Sequence, residues 1–295
     1  MRYLSFLIIL LIFTAACTSD EIEELTDYPN SHLLIEAEEL FEKLRTENIL
    51  LIDAREETGD TLLPGATHFA AISELTDPDY AVDHFLIGPD TFQEKMRNLG
   101  LNSDSRVVIY DDGNHLSAAR LFYALDYYGF SNTSLLHGGL QSWLAHDLPL
   151  GSDFMTNQPG NFSFEAQEAR FCDFEYIVEA ANSPDKIVFD VRSADEYTGE
   201  DKRAEFAGHI PNAVNLEWNK VLETDGIPYF LPAREIQMQY TELGITPDKE
   251  VIPHCHTNVR GSHAYFTLRL MGYDSVRPYE GSWAEYGNRP DAVVQ

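Results

Sequence analysis

The chain has 295 residues, enough for two domains of ordinary size. Its 20 Lys and Arg face 49 Asp and Glu, a formal net charge of −29 that repels phosphate backbones and excludes nucleic acid as a partner. Hydrophobic residues make up 44% and charged residues 23%, a globular composition, and three cysteines are too few for a disulfide scaffold.

Residues 1–17 read as a leader. Met1-Arg2-Tyr3 supplies a positive charge, Leu4 to Phe13 is almost wholly apolar, and Thr14-Ala15-Ala16-Cys17 follows. The apolar run is shorter than the roughly 20 residues of a membrane span but suits the core of a signal peptide. Small residues directly before a cysteine resemble the lipobox of bacterial lipoproteins. That resemblance implies acylation of Cys17, attachment to a membrane through the N-terminal lipid, and a place in the cell envelope. Thr14 stands where such motifs usually carry leucine. Residues 18–30, with Asp20, Glu21, Glu23, Glu24 and Asp27 before Pro29, read as an acidic tether.

Beyond it, Ile49 to Ile52 is an apolar run ending in Asp53 and Val107 to Tyr110 is a second, both with the character of buried parallel strands. Ser117 to Tyr128 has helical spacing and stops at Gly129. The same order then repeats: a strand at Ile187 to Phe189 ending in Asp190, a strand at Val251 to Ile252, and a helix from Ser262 to Met271 stopped by Gly272. Ile49–Arg55 is matched by Lys186–Arg192, Pro64-Gly65-Ala66 by Pro211-Asn212-Ala213, and Leu99-Gly100-Leu101 by Leu243-Gly244-Ile245. Val107–Asp111 is matched by Val251–Cys255, Tyr128–Phe130 by Met271–Tyr273, and Gly138 with Trp143 by Gly281 with Tyr286. Colinear matches of this number imply a duplicated unit. Alternating strands and helices imply an α/β fold, each unit a mostly parallel sheet with helices on both faces. The boundaries expected are a first domain over 31–155, a connection over 156–180 that includes Cys172, and a second domain over 181–295.

Ligands of such sheets bind beyond the C-terminal strand ends. There the second unit reads His254-Cys255-His256-Thr257-Asn258-Val259-Arg260 before its helix. A cysteine at a strand-to-helix turn meets the backbone N–H groups of His256, Thr257, Asn258 and Val259, the helix N-terminus and the Arg260 cation, all of which stabilise a thiolate or hold an anion against it. His254, Cys255, His256 and His263 do not read as a zinc site, because adjacent residues seldom ligate one tetrahedral metal.

These residues resemble the tandem-domain rhodanese family, the thiosulfate and 3-mercaptopyruvate sulfurtransferases. The resemblance is carried by Asp190-Val191-Arg192, Ala207–Ala213, Asn215–Trp218, the Cys255–Arg260 loop and Gly281–Pro290, and extends over residues 31–295. It implies two tandem rhodanese-like domains and a persulfide-forming nucleophile at Cys255. It further implies a small anionic sulfur donor oriented by Arg260, a thiol or cyanide acceptor, and no metal or organic cofactor. Asp111 takes the cysteine position of the first unit and Leu116 is expected at the arginine position, so that unit is expected to be silent and to line one wall of the site. Four residues separate Cys255 from Arg260, as in rhodaneses, whereas the related phosphatases and arsenate reductases place five; the shorter loop favours sulfur transfer. A persulfide-carrying interaction module is the other alternative. The donor is less legible. Thr257 replaces the loop serine of mercaptopyruvate enzymes, Thr61-Leu62-Leu63-Pro64 lacks their histidine, and Asp195-Glu196-Tyr197 occupies the place of a substrate arginine. Arg192, Lys202, Arg203 and Trp218 are the secondary substrate candidates; Asp190, Arg192 and His209 read first as structural residues, and Trp218 suits a packing role equally.

Overall fold

Runs of aliphatic residues ending in aspartate form the central strands of two parallel sheets, in a computed structural model that describes residues 25–295. The expected leader, with Cys17, and residues 18–24 of the expected tether lie outside the described residues. In the first unit, β1 (Leu34–Ile35), β2 (Ile49–Asp53), β3 (Thr67–His68), β4 (Arg106–Tyr110) and β5 (Thr133–Leu136) stand in the order β1-β5-β4-β2-β3. In the second, β6 (Lys186–Asp190), β7 (Val214–Asn215) and β8 (Glu250–His254) stand in the order β7-β6-β8. All ladders are parallel, and the registers coincide: Asp53 lies opposite Tyr110, and Asp190 opposite His254. The duplication is therefore structural as well as textual.

Strand β4 is buried from Val107 to Tyr110, and each such side chain contributes about 1.5–3 kcal/mol through its burial. After β4 and β8 come two equivalent helices, Leu116–Tyr127 and Val259–Leu270. Both end alike. Gly129 and Gly272 adopt φ of 88° and 82°, while Phe130 N–H donates to Leu125 O and Tyr273 N–H to Leu268 O, closing the same six-residue cap. The helices pack along one another and join the domains. Phe122 meets Phe266 edge-on with ring centroids 4.9 Å apart, Tyr123 meets Tyr265 at 5.3 Å, and the Tyr265 hydroxyl donates to Asp126. Edge-to-face pairs of this kind contribute about 0.5–1.5 kcal/mol each beyond burial.

Two segments sit differently from a free linker. The described end of the expected 18–30 tether is fastened to the second domain. Tyr28 Oη donates to Leu231 O at 2.6 Å, Asn30 Nδ2 to Arg269 O at 2.7 Å, and Asn30 N–H to Leu270 O at 3.1 Å. Within the expected 156–180 connection, Phe162 is buried with the first domain. From Cys172 onward, Phe174, Ile177 and Ala180 enter a cluster with Trp283 and Tyr286 of the second. No helix among the described residues is long and apolar enough to cross a membrane.

Candidate active site

Strand β8 ends at His254, and the chain then turns through Cys255, His256, Thr257 and Asn258 into the helix. Asn258 is the helix N-cap in the left-handed region, φ 56°, a conformation that asparagine tolerates better than most residues. Gly261 follows on the inner face, where a Cβ would collide with Asn258 Oδ1. The short helix Ser282–Tyr286 fastens the turn from the other side: Trp283 N–H donates to Cys255 O at 3.0 Å and Ala284 N–H to His256 O at 2.8 Å. Cys255 is 1% exposed, at the bottom of this turn.

Arg260 sits on the first turn of the helix, where its guanidinium interacts electrostatically with the Cys255 side chain. Burial would lower its pKa, but the bonds to Glu196 and the electrostatic interaction with Cys255 outweigh this and raise it. Glu196 grips the same guanidinium with both oxygens, Nη1 to Oε2 at 2.6 Å and Nη2 to Oε1 at 2.9 Å. This carboxylate is itself held in a capping box with Ser193 at the start of the helix Ala194–Thr198. Burial works to raise its pKa, yet the Arg260 fork, the Ser193 amide and Arg203 bring it down to about 2. Glu196 is the main residue that reading the chain left without a role; the Ser193-x-x-Glu196 signature marks it as a helix start and says nothing of Arg260.

His254 is buried with Nδ1 3.3 Å from Cys255 O and Nε2 3.6 Å from Asp190 Oδ2. Burial lowers its pKa and that of the half-buried His256, which favours the neutral ring in both. Among the described residues no group of three His, Cys, Asp or Glu side chains is placed to hold a metal ion.

The secondary candidates separate by position. Arg192 is 1% exposed and committed elsewhere: it clasps Asp190 at 2.6 Å, donates to Gly208 O at 2.9 Å and lies over the Trp283 ring at 4.4 Å. It fastens the end of the central strand β6 to the turn before β7. Lys202 is exposed, and Arg203 pairs with Asp201 at 2.9 Å and approaches Glu196 at 3.6 Å. Trp218 is half-buried, edge-on to His263 at 5.2 Å. His209 Nδ1 bonds Tyr197 O at 2.9 Å and its ring stacks on Tyr197 at 3.7 Å.

The first unit builds the same turn and fills it from within. Asp111 is 2% exposed and takes N–H bonds from Gly113 at 2.9 Å, His115 at 3.1 Å and Ala118 at 3.1 Å. Burial raises its pKa against the pull of those amides. The expectation that Leu116 holds the place of the arginine needs correction. His115, φ 63°, is the N-cap equivalent to Asn258, so Leu116 corresponds to Val259 and Ser117 to Arg260. The first loop has one extra residue, which a count from Asp111 overlooks. Neither residue is a cation.

The profile of the Rhodanese-like domain matches residues 36–146 and 173–289. The chain is 34% identical over 256 residues to the sulfur carrier protein TtuD of Thermus thermophilus, covering 82% of this chain and 86% of that one. It is 31% identical over 280 residues to the thiosulfate sulfurtransferase of Azotobacter vinelandii, covering 91% and 99%. Among solved structures, SseA from Escherichia coli, one of the 3-mercaptopyruvate sulfotransferases, superposes with a TM-score of 0.75 at 26% identity, covering 86% of this chain and 99% of that one. The anaerobic ergothioneine biosynthesis enzyme from Chlorobium limicola shares the fold, with a TM-score of 0.80 at 24% identity over 91% of this chain and 71% of that one. With two matched units, parallel sheets in one register and a cysteine in the turn after β8, the chain belongs to the rhodanese-like domain family and is a sulfurtransferase.

Proposed function

We propose that the protein takes a sulfane sulfur from thiosulfate, or from 3-mercaptopyruvate, onto Cys255 and passes it to a thiol or to cyanide. The observation that carries this reading is buried Cys255, with the Arg260 cation on the helix start after it, at the foot of a turn whose equivalent in the first unit holds an anion, the Asp111 carboxylate, on three backbone amides. A persulfide, with its charge on the outer sulfur, asks for the same donors.

The bonds balance without a cofactor. The Cys255 thiolate attacks the outer sulfur of thiosulfate, the donor S–S bond breaks, and sulfite leaves with the electron pair. The acceptor nucleophile then attacks the outer sulfur of the persulfide, and the Cys255 thiolate departs from it. Thiosulfate is preferred over 3-mercaptopyruvate because Thr257 and the stretch Thr61–Pro64 lack the serine and histidine of the mercaptopyruvate pattern. The relative named as a sulfur carrier supports a second reading of the same site, in which the acceptor is the thiol of a partner protein. We further propose that acylated Cys17 holds the enzyme at the cell envelope.

Incubation of the purified protein with thiosulfate should release stoichiometric sulfite and add the mass of one sulfur atom, about 32 Da, to Cys255. Both should disappear in Cys255→Ser. A Cys255→Ser protein that still turns over sinks the mechanism.

A further inference from the structure

Arg120 belongs to the first domain, on the helix Leu116–Tyr127, yet its guanidinium is 1% exposed and points across the interface. It meets Glu280 of the second domain with Nη2 at 2.7 Å from Oε1 and Nη1 at 3.2 Å from Oε2. Glu280 is also buried, and each of its oxygens has a second donor. Leu86 N–H gives to Oε1 at 2.9 Å, and Asn258 Nδ2 gives to Oε2 at 2.6 Å. Asn258 is the left-handed N-cap on which the Cys255 turn closes, and its Oδ1 is buried without a hydrogen-bond partner. Arg120 completes its own set on His84 O at 2.8 Å and Ser262 Oγ at 3.4 Å, while Ser262 Oγ donates to Asn258 O at 2.6 Å. Two residues after Glu280, Ser282 Oγ accepts the Cys255 N–H at 3.4 Å.

We infer that Arg120 is a positioning residue for sulfur transfer, acting through Glu280 to hold Asn258 in the conformation that turns the loop amides toward Cys255. The silent domain thus contributes a specific guanidinium as well as bulk. Two features separate this from a simple inter-domain clasp. The carboxylate of the pair is shared with the loop N-cap, and the guanidinium reaches a second group, Ser262, that bonds the N-cap carbonyl. Without the cation, Glu280 is a buried carboxylate with two neutral donors, and it no longer has a fixed position from which to hold Asn258.

The inference rests on Cys255 being the nucleophile, which the sulfur-mass measurement on the unmodified protein tests by itself. Arg120→Met, Arg120→Lys and Asn258→Asp would be compared with the full chain by thiosulfate:cyanide kinetics and by the rate at which iodoacetamide alkylates Cys255 in the folded protein. Arg120→Met should lower kcat at least 10-fold with KM within about 3-fold, and should slow alkylation several-fold, because the thiolate loses its positioned amides. Damage to packing alone would expose the sulfur and speed alkylation. Arg120→Lys, which keeps the charge but cannot reach all the acceptors, should recover part of kcat. Asn258→Asp leaves the interface in place and sets a carboxylate against Glu280, so it should reproduce the slowing and decides the matter if Arg120→Met does not fold. Unchanged kcat and alkylation in a folded Arg120→Met or Asn258→Asp protein, or faster alkylation in both, overturns the inference. The alkylation arm reads it even if thiosulfate proves not to be a donor.

Discussion

Glu196 and Arg260 form a two-point ion pair, at 2.6 and 2.9 Å, beside the Cys255 sulfur. The loop cation is therefore already neutralised before a donor arrives, and an anionic donor must share Arg260 with a carboxylate that is itself almost fully buried. Such an arrangement holds the guanidinium in place at the expense of electrostatic attraction.

Replacing Glu196 by glutamine keeps one acceptor and removes the charge. Glu196→Gln should lower KM for thiosulfate roughly 3- to 10-fold at low ionic strength, with little change in kcat. Arg260→Lys, which loses the planar fork, should cost about 1–3 kcal/mol of transition-state stabilisation, or about 5- to 150-fold in kcat/KM. Steady-state kinetics on both variants test the pair. A KM that rises in Glu196→Gln would show that the carboxylate serves the site by orienting Arg260 more than it hinders it by competing.

The same carboxylate links stability to acid. Its pKa is about 2 in the folded protein against 4.5 for an ordinary glutamate, so its contribution is complete above 4.5 and is lost as pH falls through 4.5 toward 2. The full shift would correspond to about 3.4 kcal/mol, which solvent screening of the pair reduces to the order of 2–3 kcal/mol. His263 acts in a higher window. Buried between the face of Phe230 and the edge of Trp218 with neither ring nitrogen bonded, it has a pKa lowered by burial to about 3. The unfolded chain binds its proton near 6.5 and the folded chain does not, so stability falls as pH drops from 6.5 toward 3. Denaturant midpoints measured between pH 8 and pH 3 should therefore decline less for His263→Phe than for the unmodified protein, and less for Glu196→Gln below pH 4.5. Parallel curves for all three proteins contradict both assignments.

Both sheets, their parallel sense, the paired helices and their terminal glycines were legible because each rests on a local pattern: an apolar run ending in aspartate, helical spacing, a glycine at the end of the helical run. The shared placement of Cys255 and Arg260 was legible for the same reason, as one strand, one turn and one helix start hold both. Glu196 was not, since its partner lies on a different helix and the pairing depends on the packing of the two. Arg120 and Glu280 are further still from any local signal. They stand in different repeats and meet only because the two equivalent helices pack together. The placement of Leu116 at the arginine position failed on one extra loop residue, which the N-cap geometry of His115 reveals and residue spacing does not.

The proposed anchor has a direct test. Leu4 to Phe13 followed by Ala15-Ala16-Cys17 motivates it, and the described segment from Tyr28 to Asn30 is bound to the second domain. Cys17→Ser should abolish lipid attachment and leave either a conventionally processed protein or an uncleaved precursor. Detergent partitioning and the mass of the mature N-terminus read the result. If neither changes on substitution, Cys17 is not acylated.

In the first domain, Asp111 fills its own anion cradle, and that carboxylate is expected to matter for folding far more than for sulfur transfer. Asp111→Asn leaves one oxygen where two now accept three N–H bonds, and it turns an NH₂ group toward backbone amides. A loss of about 1–3 kcal/mol is expected, with kcat/KM within a few-fold of the unmodified protein. Asp111→Cys should lose stability similarly and gain no second sulfur on incubation with thiosulfate, because Leu116 and Ser117 bring no cation to the turn. Urea unfolding, steady-state kinetics and intact mass after donor treatment check the three statements separately. A loss of activity in Asp111→Asn as deep as that in Cys255→Ser, in a protein that remains folded, would place chemistry in the first domain. Two added sulfur atoms on Asp111→Cys would show that backbone amides alone suffice to sustain a persulfide, and Arg260 would then be needed for donor capture rather than for the nucleophile.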